Sequence, residues 1–121
     1  MIPRYSKPEM ERIWTLENRY ECWLEVELAA ARAMFEKGII PKEDWETINT
    51  KADFDTNRID ELDQITKHDV IAFLTNVGEN IGPASRWLHF GMTSSDVLDT
   101  ATGMQLKSSG ELILTEISRL A

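Results

Sequence analysis

One cysteine, two histidines, no CxxC pair and no glycine-rich phosphate loop are present in the chain. Each shortage closes a route. The lone Cys22 excludes an intrachain disulfide and is consistent with a reducing compartment; inside a helical pattern it reads as a small buried residue. Two histidines far apart, without metal-ligand spacing, predict no metal. Basic residues are also scarce: 13 against 21 acidic ones give a formal net charge of -8, which argues against sequence-independent nucleic-acid binding. Any positive field serving an anionic ligand must be local. No apolar run approaches the roughly 18 residues that a spanning helix requires, and MIPRYSKPEMERIW has no apolar signal core. A cytoplasmic protein without membrane association is expected.

Helical periodicity is what the chain has in abundance, and at 42% hydrophobic residues over 121 positions it can supply a core. Pro3 predicts an extended start with Arg4 and Tyr5 on an irregular arm. Ser6 can cap a short helix through Pro8 and Trp14, and Thr15 can restart it. From Leu16 to Lys37, apolar residues at spacings of three and four define a long amphipathic helix stopped by Gly38. Pro41 opens another, with Trp45 and Ile48 on one face. Thr56 or Asn57 could cap Arg58 to Thr66, where Ile59, Leu62 and Ile65 are placed on one face. Val70 to Val77 continues a strongly apolar helix that ends near Gly78 to Gly82, and a brief helical turn from Ser85 to His89 follows.

Beyond Asp96 the pattern Val97, Ala101, Met104, Leu112, Ile113, Ile117, Leu120 predicts one long helix, with small residues such as Ala101, Gly103, Ser109 and Gly110 suited to close helix approach. A helix of roughly 25 residues extends about 40 Å, more than a small domain can cover. A truncated protein is therefore expected, all-α, with a small helical domain over 1–92 and the first long helix of a bundle over 93–121.

Chemistry concentrates in three places. In HFGMTSSDVLDT, Thr93 and Asp96 have the spacing of a capping box, and Thr93, Ser94 and Ser95 crowd hydroxyls at the positive end of a helix. Taken alone, this stretch suits helix capping and anion binding equally. Lys67, His68 and Asp69 fall where one helix hands over to the next. Lysine beside imidazole favours an anion, although spacing alone makes a surface triplet the simpler reading. Arg4 and Tyr5 form a basic, aromatic hook whose plain alternative is a flexible terminus. Arg19 reads as a solvated helix charge and His89 as a residue fixing the loop before Gly91.

Taken together, the MIPRYS start, ENRYECWLEVELAAARA, KHDVIAFL and HFGMTSSDVLDTA resemble, in order, the amino-terminal part of bacterial adenylosuccinate lyases, in the fumarase and aspartase superfamily. That resemblance implies β-elimination of fumarate from adenylosuccinate, giving AMP, and from the analogous succinyl-carboxamide ribotide, with no cofactor. It further implies that Arg4 and Tyr5 hold the phosphate end, that Lys67, His68 and Asp69 line the substrate site, and that Thr93 and Ser94 bind a succinyl carboxylate. His68 would orient the substrate or assist proton transfer, the principal acid and base falling after Ala121. Homotetramers with sites shared among three subunits are implied as well, so these residues alone should not turn over substrate. Another lyase of the superfamily, or a helical interaction module whose hydroxyls merely cap, are the competing readings.

Overall fold

The computed structural model describes residues 2–121: six α-helices joined by short loops, with no strand among the described residues. In order they are α1 (Pro8–Ile13), α2 (Leu16–Glu36), α3 (Lys42–Lys51), α4 (Thr56–Thr66), α5 (Asp69–Ile81) and α6 (Ser94–Leu120). The chain is all-α, as the periodicity requires.

Local chemistry explains most boundaries, and corrects several. Arg4 and Tyr5 lie in a 3-10 turn, Pro3–Tyr5, not on an extended arm, because the fixed φ of Pro3 also suits the first position of a helical turn. Ser6 does not cap α1. Its hydroxyl turns back to donate to the Pro3 carbonyl at 3.2 Å, and Lys7 takes the N-cap position before Pro8. Thr15 does restart the chain, its Oγ1 accepting from Asn18 N–H at 3.1 Å. At α4 the cap is Asp55, whose carboxylate accepts from Arg58 N–H at 2.8 Å, while Thr56 is already helical. An acid at this position also complements the helix dipole. Ile59 and Leu62 are buried but Ile65 is 78% exposed, since steps of three residues drift about 60° each on a 3.6-residue helix. The last short turn covers Pro83–Trp87, earlier than expected, because Gly82 at φ 84° lets it start directly at the proline.

The core is built on α2 and α5. Trp23, Ile48, Ile59, Val70, Phe73, Val77 and Val97 are buried, and the rings of Tyr20, Trp23 and Phe73 meet at centroid distances of 5.1 to 5.7 Å. Cys22 belongs to this core; burial first, then Glu25 and Glu21, push its thiol up, which keeps it protonated and inert.

Helix α6 runs antiparallel to α2. At one end Trp14 Nε1 donates to Ser109 Oγ at 3.0 Å and Gln105 Nε2 donates to the Ile13 carbonyl at 2.9 Å; at the other, Glu27 meets His89. The Ile13 carbonyl, left without a partner by the end of α1, also accepts from Asn18 Nδ2 at 2.8 Å. Val97, Ala101, Gln105 and Ser109, four apart, form the buried stripe of α6. Past them the helix is uncovered, with Ile113, Leu114, Ile117 and Leu120 between 51% and 89% exposed. This chain alone is therefore expected to associate or fray there, read as a concentration-dependent sedimentation coefficient together with fast amide exchange beyond Ser109.

A surface fork gives a pH prediction. Arg58 grips Glu79 through Nη2 at 2.8 Å and Nε at 3.1 Å, and this, with Asn76 adding to it, holds the Glu79 carboxyl below its ordinary value. A carboxylate depressed in the fold stabilises it above the unfolded pKa, and that stabilisation is lost as pH falls through the folded pKa. The melting-temperature difference between wild type and Glu79→Gln should be constant near neutrality and shrink on acidification through the carboxylate range. A pH-independent difference would contradict the ion-pair origin.

Candidate functional site

Helix α4 ends on Lys67 in the left-handed conformation, φ 52°, and this reversal turns the chain directly into α5. A lysine there costs about 1 kcal/mol of backbone strain, so the corner is held by its surroundings. His68 is the N-cap of α5, its Nδ1 accepting from Ile71 N–H at 3.2 Å. With that lone pair engaged, the neutral ring carries its proton on Nε2 and presents it as a donor. Asp69 Oδ1 accepts from Val70 N–H at 2.8 Å but lies 4.0 Å from His68 Nδ1, so the two neighbours make no direct hydrogen bond. Arg19 reaches Asp69 Oδ2 at 3.6 Å while its guanidinium lies 4.8 Å from the Trp23 ring centroid. Arg19 is thus not a freely solvated helix charge; it ties the Lys67–Asp69 corner to α2.

The start of α6 is closed by its capping box, most clearly from the Asp96 side, where Thr93 N–H donates to Oδ2 at 2.8 Å. Thr93 is exposed and Ser94 half-buried. The loop before it is anchored by a group that sequence reasoning missed. Glu27, 1% exposed, accepts from His89 N–H at 2.9 Å and meets the ring Nδ1 at 2.6 Å. Were Glu27 ionised it could only accept, which would assign the shared proton to His89 Nδ1. His89 does fix the loop, held at φ 62°. The signal for Glu27 was present: it sits between Trp23 and Ala31 in a stripe of spacing four that is otherwise buried and apolar.

These groups divide along α6. Arg19, which meets Asp69, lines a groove of about 460 Å³ between α2 and α6 that includes Leu98 and Thr102, one to two turns below Ser94, but Lys67, His68, Asp69, Thr93 and Ser94 do not line it. Arg4 and Tyr5 are elsewhere. The Arg4 guanidinium is 4.9 Å from the Tyr5 ring centroid, and Tyr5 lines a small apolar groove with Leu112, Ile117 and Leu120 at the opposite end of α6. Eighteen or more residues of helix separate that groove from Ser94, about 27 Å or more at the α-helical rise. Within one chain, Arg4 and Tyr5 are not brought to Thr93 and Ser94. Another surface groove, about 720 Å³ between α2 and α3 over the stacked Phe35 and Trp45, includes none of these residues.

This all-helical architecture recurs in known proteins. The sequence profile described as "Lyase" matches residues 4–121, and the chain belongs to that family. In a fumarate lyase crystal structure from Mesorhizobium sp. BNC1 the same fold recurs, with a TM-score of 0.84 and 25% identity over 93% of this chain and 27% of that one. Among curated relatives, adenylosuccinate lyase of Bacillus subtilis (strain 168) is 49% identical over 119 residues, 98% of this chain and 28% of that protein. The adenylosuccinate lyase of Streptococcus mutans serotype c is 51% identical over 117 residues, 97% of this chain and 27% of that protein. The chain thus spans between a quarter and a third of the length of these relatives.

Proposed function

We propose that the complete protein is an adenylosuccinate lyase of purine biosynthesis, cytoplasmic and homotetrameric, with residues 1–92 as its first domain and 93–121 as the first helix of its bundle. The carrying observation is identity near one half to adenylosuccinate lyases over almost the whole chain. In the reaction the proton beside a succinyl carboxylate leaves, the bond from carbon to the purine-side nitrogen breaks, and the nitrogen takes a proton. AMP and fumarate result, or the carboxamide ribotide and fumarate from the second substrate.

In this reading His68 supplies its Nε2–H to the substrate as an orienting or assisting group, and the principal acid and base lie beyond Ala121. Lys67 and Asp69 line the same site, and Thr93 and Ser94 take a succinyl carboxylate at the positive end of α6. Arg4 and Tyr5 take the phosphate. Their distance from Ser94 supports a site assembled from more than one subunit. No cofactor enters the scheme.

The test is fumarate release, followed in the ultraviolet, from adenylosuccinate, argininosuccinate and malate by the complete protein. Release from adenylosuccinate is expected; release only from another substrate would assign a different lyase of the superfamily. Ser94→Ala should lower turnover with folding intact, whereas an unchanged rate would leave the hydroxyls as caps alone.

A further inference from the structure

Glu27 is the one carboxylate among the described residues that is both buried and placed in the main core helix, and the proposed reaction gives it no task. No lysine or arginine meets it in the described contacts. Both of its oxygens instead address one residue: Oε2 takes the His89 main-chain N–H at 2.9 Å and Oε1 the ring Nδ1 at 2.6 Å. Burying a carboxylate for the sake of one loop is expensive, and a Gln, Ser or main-chain acceptor could satisfy the backbone N–H alone. What an acceptor of two bonds supplies is a fixed main chain together with a ring held with its proton on Nδ1.

The consequence runs directly into α6. His89 sits in the left-handed region and its carbonyl accepts from Met92 N–H at 3.2 Å. Gly91 at φ 73° completes the reversal, and Thr93 follows as the N-cap. The position of Thr93 and Ser94 is thereby tied to Glu27 through His89, which lies four residues before Thr93. The ring is set as well. With Nδ1 turned to Glu27, Nε2 is the nitrogen of His89 left to face outward, on a side chain 20% exposed.

We infer that Glu27 is a positioning residue which acts through His89 to hold the start of α6, Thr93 and Ser94, in the geometry that receives a dicarboxylate substrate. This rests on the reading of the site given above. It also predicts that the chain's two histidines hold opposite protons: His68 on Nε2, because Ile71 N–H caps its Nδ1, and His89 on Nδ1, because Glu27 takes it.

The experiment uses the complete protein with Glu27→Gln and Glu27→Asp. A glutamine amide keeps the bond to the His89 main chain through its oxygen but turns an NH₂ toward the ring, which forces His89 to carry its proton on Nε2. Nitrogen-15 histidine spectra should show a protonated Nδ1 at His89 in wild type and its loss in E27Q. The KM for adenylosuccinate should rise about tenfold, the size of one charge-assisted hydrogen bond, with kcat changed less and E27D intermediate. An active wild type whose E27Q and E27D variants keep KM and lose only melting temperature would reduce Glu27 to a structural clamp and overturn the inference. So would a wild-type His89 protonated on Nε2 alone, a result that requires no variant to fold. A wild type that releases no fumarate from adenylosuccinate would instead defeat the functional reading, while the spectra still decide the His89 geometry.

Discussion

Phe73→Ala is expected to lower the stability of the fold by about 3–5 kcal/mol, the usual result of deleting a fully buried aromatic ring. Phe73 is completely inaccessible and touches three other rings, with Tyr20 stacked at 5.7 Å, Trp23 edge-on at 5.4 Å and Phe54 tilted at 6.1 Å. The surrounding side chains come from α2, from α5 and from the segment between α3 and α4, so they cannot close on the void without shifting helices against one another. A loss of this size is a large fraction of a domain's whole stability, and urea unfolding of the complete protein, followed by tryptophan fluorescence, measures it. Phe73→Leu should recover much of the loss by keeping most of the volume. A change below about 1 kcal/mol for Phe73→Ala would mean that the aromatic cluster is not the keystone of this core.

The second large effect concerns chemistry. His68→Ala in the complete protein should reduce turnover of adenylosuccinate about 100-fold, the lower end of what a positioned proton donor contributes. The side chain is about half exposed, so little packing is lost. The missing Ile71 cap should lower stability by only about 1 kcal/mol. His68→Asn is the discriminating variant, because an amide oxygen caps Ile71 equally well without offering an imidazole. If His68→Asn restores the melting temperature but not turnover, the ring acts on the substrate. Recovery of both would leave His68 as a helix cap and no more.

Much of this was legible in the chain, for identifiable reasons. Amphipathic spacing located α2, α5 and α6, because burial of one face decides a helix wherever the period is sustained. The Thr93–Asp96 box was readable because its two partners are three residues apart. What failed was local choice among neighbours of similar chemistry. Asp55 outcompetes Thr56 and Asn57 at the α4 N-terminus through a charge that the helix dipole favours, and Pro3 opens a turn instead of extending the chain. Ile65 was misplaced by counting in threes.

The candidate site was less legible than the fold, since its decisive contacts are long-range. The Glu27–His89 bond spans 62 residues, and Asp69 meets Arg19 fifty positions away in the chain. No window of sequence contains either pair. The charged residue in the buried stripe of α2 was the available clue. The resemblance to the lyase family groups Arg4, Tyr5 and Thr93 as proposed substrate ligands, and the fold separates them in space.

That separation has a kinetic meaning. A substrate short enough to lie in one cleft cannot touch both ends of α6 in the same chain, so under the proposed function its phosphate and its succinyl group would be claimed by different copies. Activity would then be a property of the assembly and not of the polypeptide. On dilution, specific activity should fall together with the oligomer, and mixing an Arg4→Ala protein with a Ser94→Ala protein should return some sites with both functions intact. An inactive pair of variants would repair each other, which a site contained in one chain could never do.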